Sequence, residues 1–124
     1  MSQNLYQKVW DRHKVATLDN GQTQLFIGAH LLHEVTSPQA FALMRELDKH
    51  VAHPERTFAT RAHIIPTTEI TRPLQDNLAE AMLDAIEEST AAAKIKLFGT
   101  SAQLGVIHTV LPYHGLTPPR IARG

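Results

Sequence analysis

The sequence predicts an α/β fold with a mostly parallel sheet. Strand-like segments at residues 28–35, 57–65 and 106–111 alternate with two amphipathic helical segments, at residues 36–50 and 73–96. Strands separated by helices favour parallel pairing. The chain has 124 residues, of which 43% are hydrophobic and 19% charged, as in an ordinary folded domain. We expect one domain over residues 1–117 and a frayed tail over residues 118–124.

The N-terminal part of the predicted domain consists of a helix and a hairpin. Apolar residues spaced four apart predict a short amphipathic helix over residues 4–14, with Ser2 as its N-cap. The turn signal Asp-Asn-Gly at residues 19–21 separates two strand-like segments, residues 15–18 and 23–27. Such a turn between short strands predicts a β-hairpin.

Capping residues and apolar stripes define the two longer helices. Pro38 suits a first helical turn, and Thr36 with Gln39 fits a capping box, with Ser37 as the competing cap. The apolar stripe of this helix is Phe41, Met44 and Leu47. Pro73 is predicted to open the second long helix. Its stripe is predicted to be Leu74, Leu78, Met82 and Ile86, each four residues apart.

Composition excludes several functional classes. Twelve basic and twelve acidic side chains cancel, so the sequence shows no charge signature for nucleic acid or for a membrane surface. With no cysteine, these residues form no disulfide, thiolate nucleophile or thiolate metal site. No apolar run approaches the roughly 18 residues of a membrane helix, and the N-terminus has no signal-peptide core. A cytoplasmic location is the default expectation.

Histidine is unusually frequent, with eight residues in the chain. His30 and His33 are three residues apart, as are His50 and His53, a spacing that allows a shared metal only on a helix. In a strand such pairs face opposite sides, so ordinary hydrogen-bonded or solvated histidines are the better interpretation, and no metal site is predicted. His13 is expected on the exposed end of the first helix.

Three further histidines are better candidates for chemistry. His33, His63 and His108 each follow or lie within a predicted strand, and sites commonly open at the strand ends of a parallel sheet. Histidines there can act as general acids or donate hydrogen bonds to a substrate oxygen.

Four segments resemble one enzyme family. They are LYQKVWDRH at residues 5–13, HLLHEVTSPQAF at 30–41, FATRAH at 58–63 and GVIH at 105–108, the last followed by Pro112 and Gly115. In order and spacing they resemble the N-terminal segment of the 3-isopropylmalate dehydratase large subunit, in the aconitase superfamily. The resemblance implies the first part of a three-layer α/β/α arrangement.

The resemblance also implies a reaction and site residues. The family interconverts 2-isopropylmalate and 3-isopropylmalate in leucine biosynthesis by dehydration and rehydration, with a [4Fe–4S] cluster as Lewis acid and a small subunit as partner. By resemblance, His63 is the catalytic histidine that donates to the substrate hydroxyl, and His33 and His108 bind substrate. Gln39 is expected to be structural.

Departures from the family pattern point to a truncated protein that is inactive alone. Gly28 and Ala29 replace an Asp-Arg pair, Ala62 replaces the aspartate that would orient His63, and Tyr113-His114 replace Glu-Gln. The cysteines that hold the family's cluster are absent, so no cofactor is expected on this chain. Possible partners are the small subunit, a complementary large-subunit chain, or a second copy pairing through an exposed sheet edge.

Three alternatives stay open at this point. The chain can be a noncatalytic domain that binds a hydroxy acid or another subunit, since polar groups are lost at Gly28, Ala29 and Ala62 while the core pattern is kept. It can be a remnant without function. The least favoured alternative is a metal-binding protein that uses His30 and His33.

Overall fold

The computed structural model describes residues 2–66, 68, 71–99, 105–117 and 121–123. The elements in chain order are α1 (Leu5–His13), β1 (Lys14–Thr17), β2 (Thr23–Leu25), β3 (Ala29–His33), α2 (Ser37–Glu46), β4 (Thr57–Thr60), α3 (Asn77–Ala92), β5 (Lys96–Phe98), α4 (Ile107–Tyr113) and β6 (Ala122–Arg123). A single 3-10 turn at Pro54–Arg56 precedes β4. None of the described helices is long and apolar enough to cross a membrane.

Four parallel strands form the central sheet, in the order β5-β4-β3-β6. The predicted α/β class with parallel pairing is therefore confirmed. β6 lies inside the segment expected to fray, where Ala122 and Arg123 pair in register with Ala29 and His30. Residues 118–120 and 124 of that segment lie outside the described residues.

Helices cover both faces of the sheet. The core on one face joins α2 and α3 to β4, and its buried residues are Phe41, Ala59, Ile86 and Ile95. The core on the other face joins α4 to β3 and β5, and its buried residues are Leu31, Phe98, Val110 and Leu116. Because side chains alternate along a strand, Leu31 and Leu32 contribute to opposite cores. The result is a helix-sheet-helix sandwich.

The N-terminal helix and hairpin form as predicted, except for the cap. Asn4, not Ser2, caps α1: its side chain accepts from the Gln7 N–H, and the Gln7 side chain accepts from the Asn4 N–H. β1 and β2 pair antiparallel around the predicted turn, and Gly21 adopts φ +81°, which glycine tolerates best.

The predicted apolar stripe of α3 is only partly correct: Ile86 is buried on the helix, but Leu78 is exposed. The helix begins at Asn77, capped by Asp76, so Leu74 lies before it, and Leu78 is 66% exposed. Besides Ile86, the buried residues of the helix are Ala79, Leu83, Ser89 and Thr90. Four residues turn a helix by about 400°, so a strict spacing of four rotates off the buried face by about 40° per step.

Several other predicted elements and boundaries are also corrected. Residues 106–111 are not a strand but largely α4, because Ile107, Val110 and Leu111 form a helical apolar face. β4 ends at Thr60 rather than at Ile65, and β5 was not predicted as a strand. Thr36 precedes α2 but makes no side-chain capping bond, so the predicted capping box does not form. α2 ends at Glu46 rather than at His50.

Candidate functional site

Two histidines and a glutamate meet where β3 and β4 end. His33 is the last residue of β3 and lies in register with Thr60, the last residue of β4. Glu34 follows β3 directly, and His63 lies in the loop after β4. Because the strands are parallel, both carboxyl ends open at the same edge of the sheet, where sites in such folds commonly lie.

Glu34 is the most buried member of this group, with a side chain that is 0% exposed. One carboxylate oxygen, Oε1, accepts the backbone N–H groups of His63 and Ile64. The other, Oε2, has no hydrogen-bond partner and lies 3.5 Å from His63 Nδ1. Glu34 thus holds the loop after β4 against the end of β3 and keeps one oxygen directed at His63.

The imidazole rings of His33 and His63 lie against each other. Their centroids are 4.2 Å apart, at an interplanar angle of 31°. His33 makes two long contacts, 3.3 Å from the Val35 N–H to Nδ1 and 3.5 Å between Thr36 Oγ1 and Nε2. Burial, reinforced by His63, lowers the pKa of His33 below its ordinary value, while Glu34 opposes this shift. His33 is therefore held toward its neutral form.

A carboxylate faces His63 even though position 62 is alanine. The resemblance implies an aspartate at that position, whose carboxylate would orient the imidazole. Ala62 has no carboxylate and cannot do so. Glu34 reaches His63 Nδ1 from the neighbouring strand instead. Glu34 was not predicted as a site residue from the sequence. An acidic residue directly after a buried strand was the available signal.

The other histidines of the described residues lie elsewhere. His108 was predicted to share the site from a strand, but it is exposed on α4 and is not part of the His33–Glu34–His63 group. His30 lies on β3 three residues before His33, so the two face opposite sides of the sheet. His50 and His53 are exposed, as expected, and His53 contacts Glu55 at 3.1 Å.

A cavity of about 780 Å³ adjoins the group. Val35 and Ile64, the residues after Glu34 and His63, line it together with the loop before α3 and the start of α3. Arg72 is the one cation among the described lining residues. Three carboxylates of α3 already surround its guanidinium: Glu80, Asp84 and Glu87. The positive charge of Arg72 is therefore already paired with carboxylates of the protein rather than free to bind an anionic ligand.

The donor atoms present do not fit an iron–sulfur cluster. Such clusters are held by cysteine thiolates, and the sequence contains no cysteine. The group at the strand ends, His33, Glu34 and His63, offers two imidazoles and one carboxylate. Through these donors the site can bind a substrate oxygen, exchange a proton at His63, or ligate a metal ion.

Comparison with known proteins gives a family match over nearly the whole chain. The profile described as "Aconitase family (aconitate hydratase)" matches residues 7–123. No solved structure matches the chain.

Curated relatives share about half of the aligned residues. The "3-isopropylmalate dehydratase large subunit" of Thermosynechococcus vestitus is 56% identical over 116 residues, which are 93% of this chain and 25% of the relative. The protein of the same name from Opitutus terrae is 51% identical over 120 residues, 96% of this chain and 25% of the relative. The chain thus spans about a quarter of the length of these relatives.

Proposed function

The chain belongs to the aconitase family, and on that premise we propose that it serves as the N-terminal part of a 3-isopropylmalate dehydratase large subunit. In this proposal His63 donates a hydrogen bond or proton to the substrate hydroxyl, and His33 contacts the same substrate. The observation that carries the proposal is the paired imidazoles, 4.2 Å apart, at the ends of two parallel strands.

The same proposal holds that the chain does not complete the reaction alone. The resemblance assigns activation of the leaving hydroxyl to a [4Fe–4S] cluster, and no thiolate ligand exists in this sequence. The cation beside the site, Arg72, is occupied by carboxylates of α3. Ligands for a cluster and free cations for substrate carboxylates would come from a complementary large-subunit chain, with the small subunit as a further partner.

The proposal also includes a substrate contact by His108 and self-association through the sheet edges. His108 is exposed on α4, so a substrate contact there would need the complementary chain to build the site around it. Self-association would use the outer edges of β5 and β6, the terminal strands of the sheet.

Complementation tests the proposal directly. The chain is co-expressed with the part of the Thermosynechococcus vestitus large subunit that it does not match and with that organism's small subunit. We expect conversion of 2-isopropylmalate by the mixture, none by the chain alone, and a strong loss in His63→Ala. His50→Ala is the matched control, because His50 is exposed and away from the site. An assembled, cluster-loaded mixture without conversion would contradict the proposal.

A noncatalytic hydroxy-acid domain is the second candidate, favoured by Ala62 and by the small residues Gly28 and Ala29. An amide-resolved NMR titration of the chain with 2-isopropylmalate separates the two. Shifts at His33 and His63 without activity in the complementation assay would favour this second candidate.

A further inference from the structure

The His33–Glu34–His63 group has the spacing of a metal site. One ligand atom from each residue lies within 4.8 Å of the others. Ligands of a tetrahedral Zn²⁺ with bonds of about 2.0–2.1 Å lie about 3.3–3.4 Å apart. Glu34 Oε2 and His63 Nδ1, at 3.5 Å, are already near that separation.

An unpartnered buried oxygen is directed at this spot. Glu34 Oε2 accepts no hydrogen bond although the side chain is fully buried. Leaving a buried carboxylate oxygen unpaired is costly, and a cation beside it removes that cost. The carboxylate cannot turn away, because its other oxygen is held by the N–H groups of His63 and Ile64.

The ring of the remaining ligand, His33, can rotate without losing a strong hydrogen bond. Its ring is held by contacts of 3.3 Å and 3.5 Å, at the weak end of hydrogen bonding. A modest rotation brings a ring nitrogen toward Glu34 Oε2 and His63 without breaking a strong bond. The His63 side chain is 24% exposed, so an ion can reach the site from solvent.

We propose that His33, Glu34 and His63 bind one divalent transition-metal ion of the Zn²⁺ class. Two imidazoles and a carboxylate suit Zn²⁺ or Co²⁺, whereas Ca²⁺ and Mg²⁺ need more oxygen ligands than the group provides. Three protein ligands leave a fourth position for water or a ligand oxygen. The site shares His33 and His63 with the proposed function, but the inference rests on the geometry of the three residues and not on that function.

Metal titration of the full chain tests the proposal. The chain is freed of metal with a chelator, and ZnCl₂ is added in a calorimeter. We expect one saturable site per chain. Co²⁺ in place of Zn²⁺ should give the visible absorption of a four-coordinate ion. His33→Ala and His63→Ala should each weaken binding by roughly tenfold or more.

Controls separate this site from other histidines and from misfolding. His50→Ala and His30→Ala should bind as the unaltered chain does, because neither residue belongs to the group. Each variant is checked for a dispersed amide spectrum. Zinc-induced NMR shifts on the unaltered chain supply a readout that needs no substitution, and they should centre on His33, Glu34 and His63.

Two results would overturn the proposal. One is the absence of saturable binding of Zn²⁺ or Co²⁺, which would mean that the free Glu34 Oε2 does not recruit a metal ion. The other is binding that survives both His33→Ala and His63→Ala, or zinc-induced shifts centred on His50 and His53.

Discussion

Glu34 contacts His63 at both the backbone and the imidazole ring, where the neighbouring strands β3 and β4 end. Glu34 Oε1 accepts the His63 backbone N–H, and Glu34 Oε2 lies 3.5 Å from the His63 ring nitrogen Nδ1. One carboxylate therefore holds the backbone of a loop residue that is 29 positions away in sequence, and its second oxygen lies beside that residue's imidazole. This contact makes Glu34 the structural centre of the candidate site.

Replacing Glu34 with alanine should destabilise the chain. The substitution leaves the N–H groups of His63 and Ile64 without their acceptor, and each unpaired buried donor costs about 1–3 kcal/mol. Glu34→Gln should lose less, because a carboxamide oxygen can still accept both bonds. Urea unfolding followed by circular dichroism measures the difference. Glu88→Ala, on an exposed surface of α3, is the control and should stay close to the unaltered chain.

The site shows which features the sequence could predict. His33 and His63 could be placed near each other, because both lie toward the ends of predicted strands whose parallel pairing brings those ends together. The contact of Glu34 with His63 could not be predicted from the sequence, because it depends on the register of β3 against β4 and on the path of the loop after Thr60. The predicted strand around His108 failed for a different reason. A short apolar run is compatible with strand or helix, and packing of Val110 into the core selected the helix.

Leu83 and Leu78 should respond very differently to truncation. Leu83 is 1% exposed, whereas Leu78, which the spacing of four assigned to the core, is 66% exposed. Leu83→Ala should cost about 2–5 kcal/mol, as for other buried leucines. Leu78→Ala should change the unfolding free energy by less than about 0.5 kcal/mol. Urea midpoints for the two variants check this, and equal effects would mean that α3 presents another face to the sheet.

The cap of α1 offers a local test of the fold. Asn4→Ala removes the acceptor for the Gln7 N–H and should cost about 1 kcal/mol of helix stability. Because α1 has no buried residue, the loss should appear as local fraying rather than global unfolding. Amide hydrogen exchange across residues 5–13 measures it. Ser2→Ala is the matched control, and fraying in that variant but not in Asn4→Ala would contradict the assigned cap.

The contact between Arg72 and Glu80 should make stability depend on acid pH. The hydrogen bond from Arg72, followed by that from the Leu74 N–H, lowers the pKa of Glu80 below its ordinary value of about 4.5. A carboxyl whose pKa is lower in the folded state stabilises the fold above its unfolded pKa, and this stabilisation is lost as pH falls through the folded value.

Glu80→Gln should therefore reduce stability at neutral pH, and its difference from the unaltered chain should shrink as pH falls below about 4.5. Urea unfolding at a series of pH values between neutral and strongly acidic measures this convergence. Glu88→Gln is the control, because Glu88 is exposed on the same helix and has no described contact with Arg72. A Glu80→Gln difference that stays constant across the acid range would show that the carboxylate charge does not stabilise the loop before α3.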